Sequence, residues 1–195
     1  TPSAAQLRAA ASTLVAAVVR DGRSLDDLLA NDPDTGSARG LKRSLVYGTL
    51  RWHFRLLEVL RSLADRPPEQ LPPTLGALLE VGLFQLLSGE TAEHAAVAET
   101  VGATRVLGHG RASGFVNAVL RRFQRERDSV LAAVDADPAA RTAHPRWFVE
   151  QLQRDRGAQA DVILEANNEH PPLWLRVNRM RWSIAAAREA LEAGG

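Results

Sequence analysis

The chain has 195 residues, 45% of them hydrophobic, a formal net charge of +1 and no cysteine. That length and apolar content can bury a core without covalent staples, and the lack of cysteine excludes a disulfide framework, a thiolate zinc site and a cysteine nucleophile. The most apolar run, from Leu75 to Leu87, is interrupted by Glu80 and Gln85, so no stretch reads as a membrane-spanning helix.

The start, Thr1-Pro2-Ser3-Ala4, has neither a Met nor the charged-then-apolar pattern of a signal peptide. It reads as a trimmed piece of a cytoplasmic protein. Leu7, Ala11, Leu14 and Val18 lie on one helical face and predict a helix over 4–20, stopped by Asp21-Gly22. Ser24 with Asp27 starts a short helix through Leu29, and residues 31–36 form a loop by their turn residues. One long helix is expected over 38–64, with Leu41, Leu45, Gly48, Trp52, Leu56, Val59 and Leu63 along one side; Pro67-Pro68 ends it. Pro72-Pro73 leads into a helix over 74–88. An alanine-rich helix over 92–107 follows, then a break at Gly108-His109-Gly110, then a helix over 112–127 with Phe115, Val119, Leu120 and Phe123 as its stripe. Six helices with short connections predict a mainly α fold.

No strand-like alternation occurs up to residue 142, and the pattern then changes. Pro138 and Pro145 open short helices near 138–142 and 145–156, and another spans 158–167. Leu173-Trp174-Leu175-Arg176-Val177 is the one strand candidate. Ser183 caps a helix over 184–193. A lone strand leaves its backbone donors without partners, so this end reads as the beginning of an α/β unit whose remainder is cut off.

No catalytic constellation stands out, and neither catalytic nor cofactor-binding residues are assigned. Gly108, Gly110 and Gly114 resemble a cofactor loop, but a helix rather than a strand precedes them, so they read as a helix connector. His53, His94, His109, His144 and His170 include no pair at i, i+4, and no metal site is expected. Charge placement is more informative. Lys42 is the only lysine among 24 basic residues. A GC-rich genome would produce this arginine bias, and so would recognition of phosphate by planar guanidinium forks. Residues 35–57 and 100–125 hold no acid but carry Arg39, Lys42, Arg43, Arg51 and Arg55, then Arg105, Arg111, Arg121, Arg122 and Arg125. These stretches predict one positive face for RNA phosphates, with Arg8, Arg39, Lys42, Arg43, Arg51, Arg121, Arg122 and Arg125 as the candidate contacts. The alternative is two solvated helix faces whose arginines pair with acids from other helices. Arg176, Arg179, Arg181 and Trp182 form a smaller group with an expected interdomain packing role, and Asn117 is expected to bond backbone at a helix junction.

Several phrases in order carry a resemblance. They are Arg8-Ala9-Ala10-Ala11 with Gly22-Arg23-Ser24-Leu25, Leu45-Val46-Tyr47-Gly48-Thr49-Leu50-Arg51-Trp52, Gly114-Phe115-Val116-Asn117-Ala118-Val119-Leu120-Arg121-Arg122-Phe123, His144-Pro145-Arg146-Trp147, and the segment from Asn167 to Asn178. With them the chain resembles the amino-terminal half of the bacterial 16S ribosomal RNA cytosine-5 methyltransferase B (Sun or Fmu) family. The resemblance implies a NusB-like domain of two three-helix bundles over 1–142. It also implies the first part of a small α/β, RNA-recognition-like domain over 143–195, with Leu173–Val177 as its first strand. Such enzymes continue into a Rossmann-like domain that binds S-adenosylmethionine, where one cysteine attacks the base and a second helps release the product. This chain has no cysteine, no Pro-Cys phrase and no cofactor glycine motif.

The resemblance therefore implies a substrate-recognition module, inactive alone and without a cofactor of its own. Its expected partners are 16S ribosomal RNA and a methyltransferase domain in cis, with no membrane and no metal. A free-standing NusB-like antitermination factor, binding RNA and a ribosomal protein, is the alternative; the residues past the sixth helix argue against it. A third reading makes the helical domain an interdomain brace that uses Arg121, Arg122 and Arg125.

Overall fold

In the computed structural model, residues 2–30, 32–169 and 174–193 are described, and every regular element among them is helical. Helix α1 (Ala4–Asp21) begins with a capping box: Ser3 Oγ accepts from the Gln6 amide at 3.2 Å, and Gln6 Oε1 accepts from the Ser3 amide at 2.7 Å. It ends at Gly22, which adopts the left-handed conformation with φ 65°. Ser24 caps α2 (Leu25–Leu29) as expected.

The long helix predicted over 38–64 is two helices, α3 (Gly36–Arg51) and α4 (His53–Leu63), parted at Trp52. Trp52 has φ −98° and ψ 9°, in the bridge region, while its amide still bonds the Gly48 carbonyl at 3.1 Å. Neither Gly nor Pro stands at the break. What separates the two helices is tertiary: α3 packs on α1 and α5, whereas α4 packs on α5, α7 and the short α8 (Pro138–Arg141).

Helix α5 (Pro73–Ser88) is apolar on all sides and buried on nearly all of them, which makes it the axis of the fold. It contacts α1, α3, α4, α6 (Glu93–Val106) and α7 (Ser113–Asp135). Two of its residues fix how closely its neighbours lie. A Cβ at Gly82 would meet Leu120 and Thr100 side chains at 3.0 Å, so α6 and α7 close directly onto its backbone. Phe84 lies two residues on, roughly 200° round the axis, and its ring rests on the α3 backbone at Gly48, where a Cβ would sit 2.0 Å from Phe84 Cζ. Helices α3 and α7 therefore lie on different sides of α5. Gln85 and Thr100 form a buried polar bridge from α5 to α6, their side chains 3.4 Å apart.

Helix α7 runs to Asp135, eight residues past its expected end, because Val130, Leu131 and Val134 continue its apolar stripe. After α8, α9 (Arg146–Arg156) and α10 (Ala160–Asn168) make a small satellite core of Ala139, Val149 and Leu164, with Phe148 and Leu152 against it. Asn168 Nδ2 donates to the Thr142 carbonyl at 2.6 Å, tying α10 back to α8. Ala143, at the turn between α8 and α9, has φ 56°.

The strand candidate is not formed where it can be seen. Leu173 lies outside the described residues, and Trp174–Val177 are irregular. This follows from the missing ladder partner. Helix α11 (Ile184–Ala193) forms as expected, with Ser183 Oγ accepting from the Ala186 amide at 3.1 Å, but it buries no residue.

Candidate nucleic-acid interface

The eight arginine and lysine candidates divide sharply. Arg8 is 3% exposed, and its Nη1 donates to the Ala4 carbonyl within its own helix at 3.0 Å. Burial lowers the pKa of its guanidinium, an effect that Glu99 partly offsets. It is a core residue and is withdrawn as an RNA contact. Lys42 is withdrawn as well. It is buried at the inner edge of α3, where Asp32 and Asp34 both grip its ammonium. Burial alone would lower the Lys42 pKa, but the hydrogen bonds it donates to the two carboxylates outweigh that and hold the pKa above its usual value. Burial likewise opposes ionisation of Asp32, yet the bonds from Lys42 and from the Asp34 amide keep its pKa below the ordinary carboxylate range.

Arg122 is also committed. Its Nη1 donates to the Leu63 carbonyl at 3.0 Å and its Nε to Glu126 at 3.0 Å, which braces α7 against the end of α4. Arg55, in the same acid-free stretch, pairs with Asp135 at 2.6 Å and donates to the Arg141 carbonyl at 3.0 Å. Acids from elsewhere in the chain thus return onto the basic stretches and neutralise part of them.

What remains falls into two groups. Arg39, Arg43 and Arg51 stand with Tyr47 at four-residue spacing, so they share one edge of α3. No carboxylate pairs with these three arginines among the described residues. Arg39 is exposed and lies in the field of Asp32. Arg43 has a buried Nε with no acceptor, and its side chain helps to line a groove. That groove, of about 440 Å³, is lined by Arg43, Tyr47 and Arg51 of α3, Trp52 at the helix break, Phe84 of α5 and Asn168 of α10, with one acid, Glu90, also on its wall. The second group, Arg121 and Arg125 with Arg105 and Arg111, is exposed around α7 and the α6–α7 connection. Among the described residues Arg121 bonds only Gln124, at 3.0 Å. Because α3 and α7 flank different sides of α5, the two groups do not make the single positive face expected from the sequence.

Other readings resolve more simply. The Gly108–Gly110 break is a helix connector, with His109 Nε2 2.9 Å from Thr74 Oγ1 at the start of α5. It follows α6 rather than a strand, so its residues do not fit a nucleoside cofactor. Asn117 is exposed on α7 instead of bonding backbone at a junction, because it sits on the same outer stripe as Arg121. Arg176, Arg179, Arg181 and Trp182 are exposed. Among the described residues no cluster of acids and histidines could hold a metal ion, and no helix is long and apolar enough to cross a membrane. The groove at Trp52 escaped sequence reasoning, since Trp52 sat in an apolar helical register that gave no sign of a break.

A family model described as the NusB family matches residues 5–125, and one described as the RsmF/B-like methyltransferase ferredoxin-like domain matches residues 144–195. The chain is similar to proteins named ribosomal RNA small subunit methyltransferase B. The Pseudomonas putida protein is 41% identical over 190 residues, covering 96% of this chain and 44% of the relative. The Pseudomonas syringae pv. tomato protein is 39% identical over 190 residues, covering 96% and 42%. An Escherichia coli protein is 38% identical over 195 residues, covering 97% and 44%. The chain spans less than half the length of these curated relatives.

Proposed function

Since the chain belongs to the NusB family, we propose that it is the RNA-positioning part of an S-adenosylmethionine-dependent ribosomal RNA cytosine-5 methyltransferase, and that it grips 16S ribosomal RNA through the outer edge of α3. The observation that carries this reading is the row of Arg39, Arg43 and Arg51 beside an aromatic-lined groove, left unpaired while neighbouring basic residues are neutralised. Guanidinium groups along a helix hold phosphates without reading bases. The names of the relatives and the match over 144–195 support a methyltransferase context over a free-standing antitermination factor.

In this reading the chain supplies orientation, and a cysteine-bearing domain in cis supplies S-adenosylmethionine and the covalent step. The division between the helical domain and the α/β domain falls at about 142/143, supported by the turn at Ala143 and by the start of the second family match at 144. The test is binding of the chain to a single-stranded 16S fragment across a salt series. Each phosphate neutralised on a single strand contributes roughly −0.7 to the log–log slope. A flat response removes the phosphate grip.

A second use of the chain rests on Trp174, Leu175, Met180, Trp182, Ile184 and Leu191, all exposed large apolar residues near one another in sequence. An apolar segment of this kind calls for cover by other polypeptide, which in this reading is the catalytic domain in cis. Protection of 174–191 from hydrogen exchange in the longer protein, relative to this chain, tests it; unchanged exchange would argue against it.

A further inference from the structure

Trp52 does more than part α3 from α4. It is half-buried, packed on one side against the main core, and it lines three adjoining hollows. One is the basic groove beside Arg43 and Arg51. A second, of about 340 Å³, is an apolar bay bounded by Trp52, Phe84 and Leu87, with Arg55 and Ser88 at its polar edge. Trp52, Phe84 and Ser88 line both, so the bay and the groove adjoin across these residues.

Resting on the phosphate reading of α3, we propose that this bay receives one unstacked RNA base while the α3 arginines hold the adjoining phosphates. The protein thereby selects single-stranded or locally opened RNA over duplex.

Five features support that occupant. The bay has the volume of a small-ligand site, about 300–1,000 Å³ in general. Its walls are aromatic and aliphatic, the surfaces on which splayed-out bases stack. Phe84 cannot retreat freely, because its ring is seated on the α3 backbone at Gly48. Arg55 is already held by Asp135 and the Arg141 carbonyl, so it gives the bay a fixed polar rim rather than a mobile charge. Arg43 lines the adjoining groove, where its guanidinium can meet the phosphate next to a seated base. A base locked in a helical stack presents no free face to such a wall, which is why duplex is disfavoured.

The experiment measures anisotropy of a short labelled single-stranded oligoribonucleotide of mixed sequence against the 195-residue chain. The same phosphodiester chain without bases, and the duplex, are measured alongside. Wild-type protein binds the single strand roughly ten- to a hundredfold more tightly than the baseless chain, the range expected for one stacked base. Trp52→Ala loses a similar factor on the single strand, hardly distinguishes it from the baseless chain, and keeps the wild-type salt slope. Trp52→Phe retains most of the affinity. If Trp52→Ala does not fold by circular dichroism, the wild-type comparison of based and baseless chains decides. Equal affinity for those two chains, or for single strand and duplex, overturns the base-bay proposal while a steep salt slope leaves the α3 grip standing. A flat salt slope with no RNA binding overturns both.

Discussion

Replacing Lys42 by Met removes one cation from between two carboxylates in a site where all three groups are largely enclosed. The side chains of Lys42 and Asp32 are 6% and 1% exposed, and that of Asp34 is 18% exposed. Removing one partner of a buried ion pair costs about 3–5 kcal/mol, because the remaining charge is left unpaid by any interaction. Asp34 keeps some access to water and its loop can swing outward, so the expected loss lies near the lower end, about 3 kcal/mol. Against a total stability of about 5–15 kcal/mol, this is a large fraction. It should move a urea midpoint by about 1–3 M for slopes of about 1–3 kcal/mol/M.

The pH dependence has a definite sign. Folding depresses the Asp32 pKa, so the stability Asp32 contributes is present above its ordinary pKa and fades only as pH falls through the lower folded value. The Lys42 pKa is raised, so its contribution is complete below its ordinary pKa and is lost as pH rises through the higher folded value. In the Met variant Asp32 loses the ammonium that holds its carboxyl below the usual range, and it takes up a proton more readily. The destabilisation is therefore largest near neutral pH and shrinks as pH falls below about 4. Urea unfolding followed by circular dichroism at pH 7 and in acid measures both points. A loss under about 1 kcal/mol at pH 7, or one of the same size in acid, would refute the reasoning.

Gly48→Ala should force Phe84 off α3 and cost about 1–3 kcal/mol in thermal or urea unfolding; a neutral effect would mean the ring has room to move. Ser3→Ala removes the α1 cap and should cost about 1 kcal/mol, with amide exchange faster in the first turn. Arg122→Ala should lose about 1 kcal/mol of stability, given that its ion pair is substantially solvated, and leave the salt slope of RNA binding unchanged. The chain alone should transfer no labelled methyl group from S-adenosylmethionine to unmodified ribosomal RNA; incorporated label would contradict the division of labour proposed above.

The helices were legible where local chemistry decides them. Ser24, Ser183 and Pro138 mark starts that the structure keeps, and the apolar run of α5 announces a buried axis. Two boundaries were not legible because tertiary packing sets them. Trp52 fits the register of one continuous helix, yet the chain turns there so that α3 and α4 can serve different neighbours. The expected end at residue 127 also failed, because Val130 and Val134 carry α7 onward over α4 and α8.

The site was half legible. Absence of acids nearby in sequence located the basic stretches, but neutralisation acts through space. Asp135 reaches Arg55 across 80 positions, and Asp32 and Asp34 close on Lys42 from the preceding loop. Nothing in the spacing of α3 and α7 indicated that α5 would hold their arginines apart. The clamp at Lys42 left one trace, a lone lysine ten residues after an acidic loop, which a search for burial partners rather than for phosphates could have found.

The central claim is that the α3 edge, and not the α7 stripe, carries the phosphate grip. The direct test is the salt dependence of single-stranded 16S RNA binding by two variants, Arg39→Ala/Arg43→Ala/Arg51→Ala and Arg121→Ala/Arg125→Ala. Three lost phosphate contacts should flatten the log–log slope of the first by about 2, while the second keeps the wild-type slope. An unchanged slope in the α3 variant, with the loss appearing in the α7 variant, would contradict the account.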